Sequence, residues 1–217
     1  NEGGYNRSIR LLRNIMGLWL IQEVRRDLKE SGVDLSYAQL VEQAKQVSDP
    51  FATLIFVDAS LFIHAGGMIE RIKKFAKNTN QKVPTTAGEI AQTVFASLAL
   101  QYAKTCDTLE SLSKLPMPAI HIVGGGSQNE HLCQLTADIS GREVIAGPVE
   151  ATALGNAMVS AIAIGSDTDL TDAHSARRLI ERSNLGLKRY QPSEGRDTNT
   201  IAQVRSRYAA LSLEDMR

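Results

Sequence analysis

The feature that most constrains the fold is a strand, a run of three glycines and a helix within residues 119–161. A β-branched apolar run at residues 120–123 predicts a strand, which leads directly into Gly124, Gly125 and Gly126. Because glycine has no Cβ, a planar or anionic ligand can lie against this main chain while the N–H groups of the following helix point towards it. The pattern predicts an α/β domain with a ligand-binding turn. Three glycines alone are also typical of a hairpin or a connector.

The rest of the chain is predicted to be rich in helices. A second strand is expected at residues 142–146, and residues 51–63 indicate a short strand or an extended loop. From residue 150 a run of small residues predicts a helix that packs tightly. Apolar spacing and capping residues predict further helices at residues 6–30, 36–47, 68–77, 86–112, 128–139, 173–183 and 198–211.

The long helix predicted at residues 6–30 carries two polar side chains on one row. Asn14 and Gln22 are eight residues apart, which corresponds to about 12 Å along a helix. Such a pair could contact two neighbouring substrates, although periodicity alone favours two solvated positions.

Charge and cysteine content narrow the classes of partner. The 24 basic and 24 acidic residues cancel, so no positive field would attract nucleic acid or an anionic membrane. The most apolar stretches are too short or too polar to span a bilayer, and no secretory signal is visible. The two cysteines, Cys106 and Cys133, have no zinc-binding spacing. We therefore expect a cytoplasmic protein without nucleic-acid or membrane partners.

Three motifs in order resemble the C-terminal half of the FGGY carbohydrate kinases. They are RNIMGLWLIQ at residues 13–22, GGGSQN followed by LCQLTAD at residues 124–138, and AGPVEATALGN at residues 146–156. Within the family the likeness is greatest to the rhamnulokinases. The resemblance implies an actin-like ATPase (ribonuclease H-like) fold, with ATP and Mg²⁺ as cofactors.

The same resemblance implies roles for individual residues. Asn14 would contact the sugar. The residues expected to contact ATP are Gln22, Gly124, Gly125, Gly126 and Asn129. No catalytic residue is expected in this chain, because in the family the base lies in an N-terminal lobe.

The resemblance begins at Asn1, which is not a methionine, so we expect a fragment that lacks the N-terminal sugar-binding and catalytic lobe. Residues 1–192 would form the nucleotide-binding domain and residues 193–217 a C-terminal tail helix. The implied reaction is phosphorylation of L-rhamnulose to L-rhamnulose 1-phosphate, and the isolated fragment is expected to be inactive. L-Fuculose or xylulose as the sugar, or a non-catalytic actin-like nucleotide-binding module, remain alternatives.

Overall fold

The structure, a computed structural model, describes residues 2–165, 169–183 and 186–214. Its strands are β1 (Glu2–Gly3), β2 (Ile9–Arg10), β3 (Ala119–Ile122), β4 (Glu143–Ala146) and β5 (Lys188–Tyr190). Its α-helices are α1 (Trp19–Glu30), α2 (Tyr37–Lys45), α3 (Met68–Asn78), α4 (Ala87–Ser113), α5 (Glu130–Ser140), α6 (Ala151–Ile164), α7 (Ala173–Arg182) and α8 (Thr198–Glu214).

A small mixed sheet carries the glycine turn. β3 and β4 run parallel, with Ala119 opposite Glu143 and Ile122 opposite Ala146, and β5 pairs antiparallel with β4. A parallel pair needs a crossover, which α5 provides. Separately, β1 and β2 form a short antiparallel pair.

The long helix α4 is the centre of the main core. It packs against α1, α2, α5 and α8, and Val94 and Leu98 on it are fully buried. The last helix, α8, contributes to this same core through Val204 and Tyr208, which are both buried. The predicted domain boundary at residue 192 stays a prediction.

Two helix starts are confirmed, since local sequence determines them. Ser36 and Gln39 form a reciprocal capping box at the start of α2, and Thr86 and Glu89 form another at the start of α4. Gly32, with a φ of 90°, follows the end of α1 in the left-handed conformation expected there.

The helix predicted at residues 6–30 is wrong in its first half, because helix α1 begins only at Trp19. Gly17 has a φ of 64°, and the N–H of Met16 donates to the side chain of Asp58 rather than to a helical carbonyl. Ile9, an apolar residue in the first half of the predicted helix, is 74% exposed. Local periodicity did not reveal this long-range hydrogen bond.

Two further predictions are corrected or refined. The segment at residues 51–63 is extended and buried at Leu54 and Val57, but apart from one 3-10 turn it has no regular structure. Helix α6 exists, yet none of its residues is buried. Small residues allow a helix to pack closely, but they do not supply a partner.

Candidate functional site

The glycine turn connects β3 to α5 through a 3-10 turn at Gly124–Gln128. Gly124 has a φ of 72°, a conformation that favours glycine. Its N–H donates to the carbonyl of Pro148 at 3.1 Å, and its carbonyl accepts from the Ser127 hydroxyl at 2.7 Å. Asn129 then caps α5 by accepting from the N–H of Leu132 at 3.0 Å. The turn is therefore held in one conformation at both ends.

Gly125 faces open space. A Cβ built on it would meet no atom within 4 Å, and its φ is not positive. A Cβ on Gly126 would be 3.6 Å from Ile122 and 3.7 Å from Leu18, which is ordinary contact. Neither internal packing nor backbone conformation requires glycine at position 125, whereas a ligand lying against the turn would.

The open side of Gly125 forms part of a cavity of about 740 Å³. This volume lies within the range typical of small-molecule sites. The cavity is bounded by α1, α2, α4 and the glycine turn. The residues that line it are Leu18, Ile21, Gln22, Tyr37, Ala38, Val41, Glu42, Lys45, Phe95, Gly125, Gly126, Gln128, Asn129 and Glu130.

Four of the five predicted ATP contacts meet at this cavity: Gln22, Gly125, Gly126 and Asn129. Gly124 is not part of the lining, but its hydrogen bonds with Pro148 and Ser127 fix the conformation of the turn. Their individual roles in binding stay predictions.

Asn14, the predicted sugar contact, does not line the cavity. It is exposed on the irregular segment that precedes α1, so Asn14 and Gln22 do not share a helix and the 12 Å separation along one helix axis does not apply.

One wall of the cavity was missed by the sequence analysis. Tyr37, Val41 and Lys45 occupy successive turns of α2 and all line the cavity. Their spacing was visible in the sequence, but nothing local indicated that this row faces the glycine turn. The guanidinium of Arg25 lies 5.1 Å from the centre of the Tyr37 ring, which helps to fix this wall.

The charges at the cavity are paired. Lys45 donates to Glu42 at 2.7 Å, and Lys188 donates to Glu130. The hydrogen bond from Lys188 lowers the pKa of Glu130.

Helix α4 contributes an apolar side chain, Phe95, to the cavity lining. Phe95 packs edge-on against His131, and burial lowers the pKa of this histidine. The His131 ring binds Gln92 at 2.7 Å. A lining with several apolar side chains, paired charges and an amide at Gln22 suits a planar, polar heteroaromatic group.

Asp138 and Glu143, two of the carboxylates near the turn, have structural partners. Asp138 accepts from the N–H of Ser193 at 2.6 Å, and Glu143 accepts from Arg189 at 3.1 Å. Glu150 stands at the start of α6. Within the described residues no group of three or more histidine, cysteine or acidic side chains could hold a metal ion. In the same residues no helix is long and apolar enough to cross a bilayer.

A family profile matches most of the chain. Residues 1–164 match the profile described as the FGGY family of carbohydrate kinases, C-terminal domain. The chain belongs to the FGGY family. The family membership implied by the three motifs is thereby confirmed.

Curated relatives in this family are named rhamnulokinase. The protein of that name from Bacillus subtilis (strain 168) is 40% identical over 203 residues, which are 94% of this chain and 40% of the relative. The one from Pectobacterium carotovorum subsp. carotovorum (strain PC1) is 40% identical over 214 residues, which are 98% of this chain and 40% of the relative. The chain thus spans about 40% of the length of these relatives.

Solved FGGY kinases share the fold. The xylulose kinase from Rhodospirillum rubrum superposes with a TM-score of 0.61 at 18% identity, over 91% of this chain and 38% of that chain. Plasmodium falciparum glycerol kinase, solved with ADP, gives 0.60 at 16% identity, over 90% of this chain and 36% of that chain. The chain therefore has the actin-like ATPase fold of these sugar kinases.

Proposed function

We propose that this chain is the nucleotide-binding lobe of an ATP-dependent sugar kinase that converts L-rhamnulose to L-rhamnulose 1-phosphate. The observation that carries the ATP site is the open side of Gly125, which faces a cavity of about 740 Å³. The choice of sugar is supported by relatives named rhamnulokinase that are 40% identical to the chain.

The residues around the cavity fit an adenosine group. A planar base needs a flat main-chain surface and apolar walls, which Gly125, Gly126, Ile21 and Val41 would supply. The Gln22 side chain can both donate and accept hydrogen bonds, so it can select for the edge of a base or for a ribose hydroxyl. The role of these residues is to bind and orient ATP.

Phosphoryl transfer depends mainly on positioning and charge stabilisation. The sugar hydroxyl oxygen forms a bond to the γ-phosphorus, the bond to ADP breaks, and a carboxylate accepts the hydroxyl proton. We assign that carboxylate to a second, N-terminal lobe of the same polypeptide, since Asp138 and Glu143 near the turn are engaged in structural contacts.

Mg²⁺ offsets phosphate charge in such reactions. The described residues of this chain provide no ligand cluster for it, so the phosphates and the second lobe would hold it. The proposal also places the enzyme in the cytoplasm, where its two free cysteines, Cys106 and Cys133, stay reduced.

The decisive experiment is a panel of ketoses assayed with ATP and Mg²⁺, using the polypeptide that contains this chain together with the N-terminal lobe. We expect the highest kcat/KM with L-rhamnulose and no turnover by the 217-residue chain alone. Preference for L-fuculose or xylulose would change the proposed sugar but leave the proposed kinase activity unchanged. ATP binding without turnover of any ketose would support a non-catalytic nucleotide-binding module instead.

A further inference from the structure

The carboxylate of Asp58 binds residues on both sides of Asn14, through the side chain of Arg13 and the main chain of Met16. Its Oδ2 accepts from the Arg13 guanidinium at 3.1 Å, and its Oδ1 accepts from the N–H of Met16 at 3.1 Å. Residues 13–16 lie outside any helix, and the Met16 N–H binds Asp58 rather than a helical carbonyl. One carboxylate, distant in sequence, therefore determines where Asn14 is presented.

Asp58 is in turn held by Gln101, which lies on α4 and is fully buried. The Gln101 side-chain N–H donates to Asp58 Oδ2 at 3.0 Å. A carboxylate only accepts, so the NH₂ group of Gln101 must face Asp58 and its oxygen must face away. That oxygen accepts from the hydroxyl of Tyr208 at 3.0 Å.

Tyr208 anchors this chain of hydrogen bonds in α8. The side chain is 1% exposed and packs edge-on against Phe56. Burial raises the pKa of the Tyr208 hydroxyl above its ordinary value, so the hydroxyl keeps its proton at neutral pH and remains a donor. α8 lies beyond residues 1–164, the part of the chain that matches the family profile.

The segment that carries Asp58 is itself rigid. The N–H and the carbonyl of Leu54 both bind the side chain of Gln81, at 2.9 and 2.8 Å. The N–H of Ile55 donates to Ser97 at 2.9 Å, and Val57 is fully buried. Asp58 thus projects from a fixed, buried segment towards residues 13–16.

We propose that Asp58 is a positioning residue that fixes residues 13–16, and with them Asn14, and that Gln101 and Tyr208 couple this segment to the C-terminal helix α8. The proposal rests on the proposed function in one respect, namely that Asn14 contacts the sugar. The segment continues through Leu18 into the wall of the nucleotide cavity, so Asp58 orients the sugar contact relative to the ATP site.

Asp58→Asn is the most direct variant. The amide of the new side chain has one acceptor oxygen, whereas Asp58 accepts three hydrogen bonds through two oxygens. Its NH₂ group would therefore face a donor. Tyr208→Phe is a milder second variant that leaves the Gln101 oxygen without its donor.

Asp27→Asn is the matched control. Asp27 also accepts from two backbone N–H groups, those of Gly67 and Ile69 at 3.0 and 2.9 Å, but these lie at the start of α3. Each variant weakens hydrogen bonds from backbone N–H groups to a carboxylate. In Asp58→Asn the affected N–H is that of Met16, and in Asp27→Asn the affected groups lie at the start of α3.

The first readout is steady-state kinetics in the intact kinase. We expect Asp58→Asn to raise the KM for the ketose about tenfold, since misplacing a positioned contact weakens substrate binding strongly. The KM for ATP should stay within about twofold. Tyr208→Phe should raise the ketose KM in the same direction by about threefold, and Asp27→Asn should change neither constant.

An unchanged ketose KM in Asp58→Asn, or an equal rise in both KM values, would overturn the positioning role. An unchanged ketose KM in Tyr208→Phe would overturn the coupling to α8. If Asn14→Ala raises the ketose KM and Asp58→Asn does not, the positioning role fails while the proposed function stands.

The second readout does not depend on turnover. Amide hydrogen exchange of Met16 in the 217-residue chain should be about tenfold faster in Asp58→Asn. In Asp27→Asn the amides of Gly67 and Ile69 should exchange faster instead, and the exchange rate of Met16 should not change. If no ketose is a substrate of the wild type, the proposed function fails, and this exchange experiment decides the positioning role by itself. Wild-type exchange at Met16 in Asp58→Asn would overturn it.

Discussion

The Gln22 side chain lines the cavity, and its amide can both donate hydrogen bonds to a polar ligand and accept them. It is exposed on the first turn of α1 and lies opposite the glycine turn. Its side-chain amide makes no hydrogen bond to the residues that the structure describes, so it is available to ATP. Removing a single such hydrogen bond costs about 0.5–1.5 kcal/mol.

Gln22→Ala should therefore weaken ATP binding by about 2- to 13-fold without lowering the melting temperature. Isothermal titration of ATP into the 217-residue chain measures this effect. Gln203→Ala on the exposed face of α8 is the control and should bind as the wild type does. Equal affinities in the two variants would argue against a nucleotide contact at Gln22.

The residues of the site differ in how far sequence could predict them. Gly125 and Asn129 lie in one short motif, so their proximity follows from the local chain. The environment of Asn14 depends on Asp58, which is 42 residues away from Met16 in sequence. No local pattern indicates such a contact. The helical periodicity around Asn14 predicted a helix, but the structure has an irregular segment there.

At the scale of elements, the close contact between α2 and α4 builds the wall that sequence analysis missed. Gly88, in the first turn of α4, is buried against the backbone of α2. A Cβ at this position would be 2.7 Å from the carbonyl oxygen of Gln43. Because backbone cannot move as a flexible side chain does, this glycine is required for α2 to lie where it borders the cavity.

Gly88→Ala should destabilise the chain by about 1–3 kcal/mol, as overpacking of a close contact does, and should weaken ATP binding because the α2 wall is displaced. Gly155→Ala on α6 is the matched control, since its Cβ would meet no atom within 4 Å. It should be neutral or stabilising by up to about 1 kcal/mol. Chemical denaturation of both variants tests the difference, and equal stabilities would contradict the close approach of the two helices.

The start of α4 should give the chain a defined acid sensitivity. Glu89 completes the capping box and binds Lys82 at 2.6 Å. The hydrogen bond from Lys82, with others from Thr85, lowers the pKa of Glu89 from 4.5 to about 2. A lowered pKa means that the carboxylate stabilises the fold above pH 4.5 and that this contribution is lost as the pH falls towards 2.

Glu89→Gln keeps a residue that can form the capping box but removes the charge. It should be less stable than the wild type at pH 7 by about 0.5 kcal/mol, the size typical of an exposed ion pair. The difference should vanish as the pH falls from 4.5 towards 2. Urea denaturation of both proteins across this range measures it, and a difference independent of pH would contradict the role of the charge.

The elements were predictable where their signals are local. The capping boxes of α2 and α4 and the strand before the glycine turn lie within a few residues each, and all are confirmed. The prediction that α6 packs tightly was wrong for the described residues, since none of α6 is buried. The composition of a helix does not determine whether another surface packs against it.

Across the whole molecule, one site unites elements that are far apart in sequence. α1, α2, α4 and the glycine turn meet around a single cavity, and the family to which the chain belongs consists of carbohydrate kinases. The order of three motifs was enough to predict that family. The cavity could not be derived from the motifs, because its α2 wall depends on how α2 packs against α4.

The proposed function requires that this cavity bind the adenosine part of ATP against Gly125. The most direct test is calorimetric titration of ATP into the 217-residue chain carrying Gly125→Val, with Gly155→Val as the control. Neither glycine has a positive φ or an atom within 4 Å of its Cβ position, but only Gly125 lines the cavity. We predict an affinity loss of more than about tenfold for Gly125→Val and wild-type binding for Gly155→Val. Wild-type ATP affinity in Gly125→Val would contradict the assignment of the site.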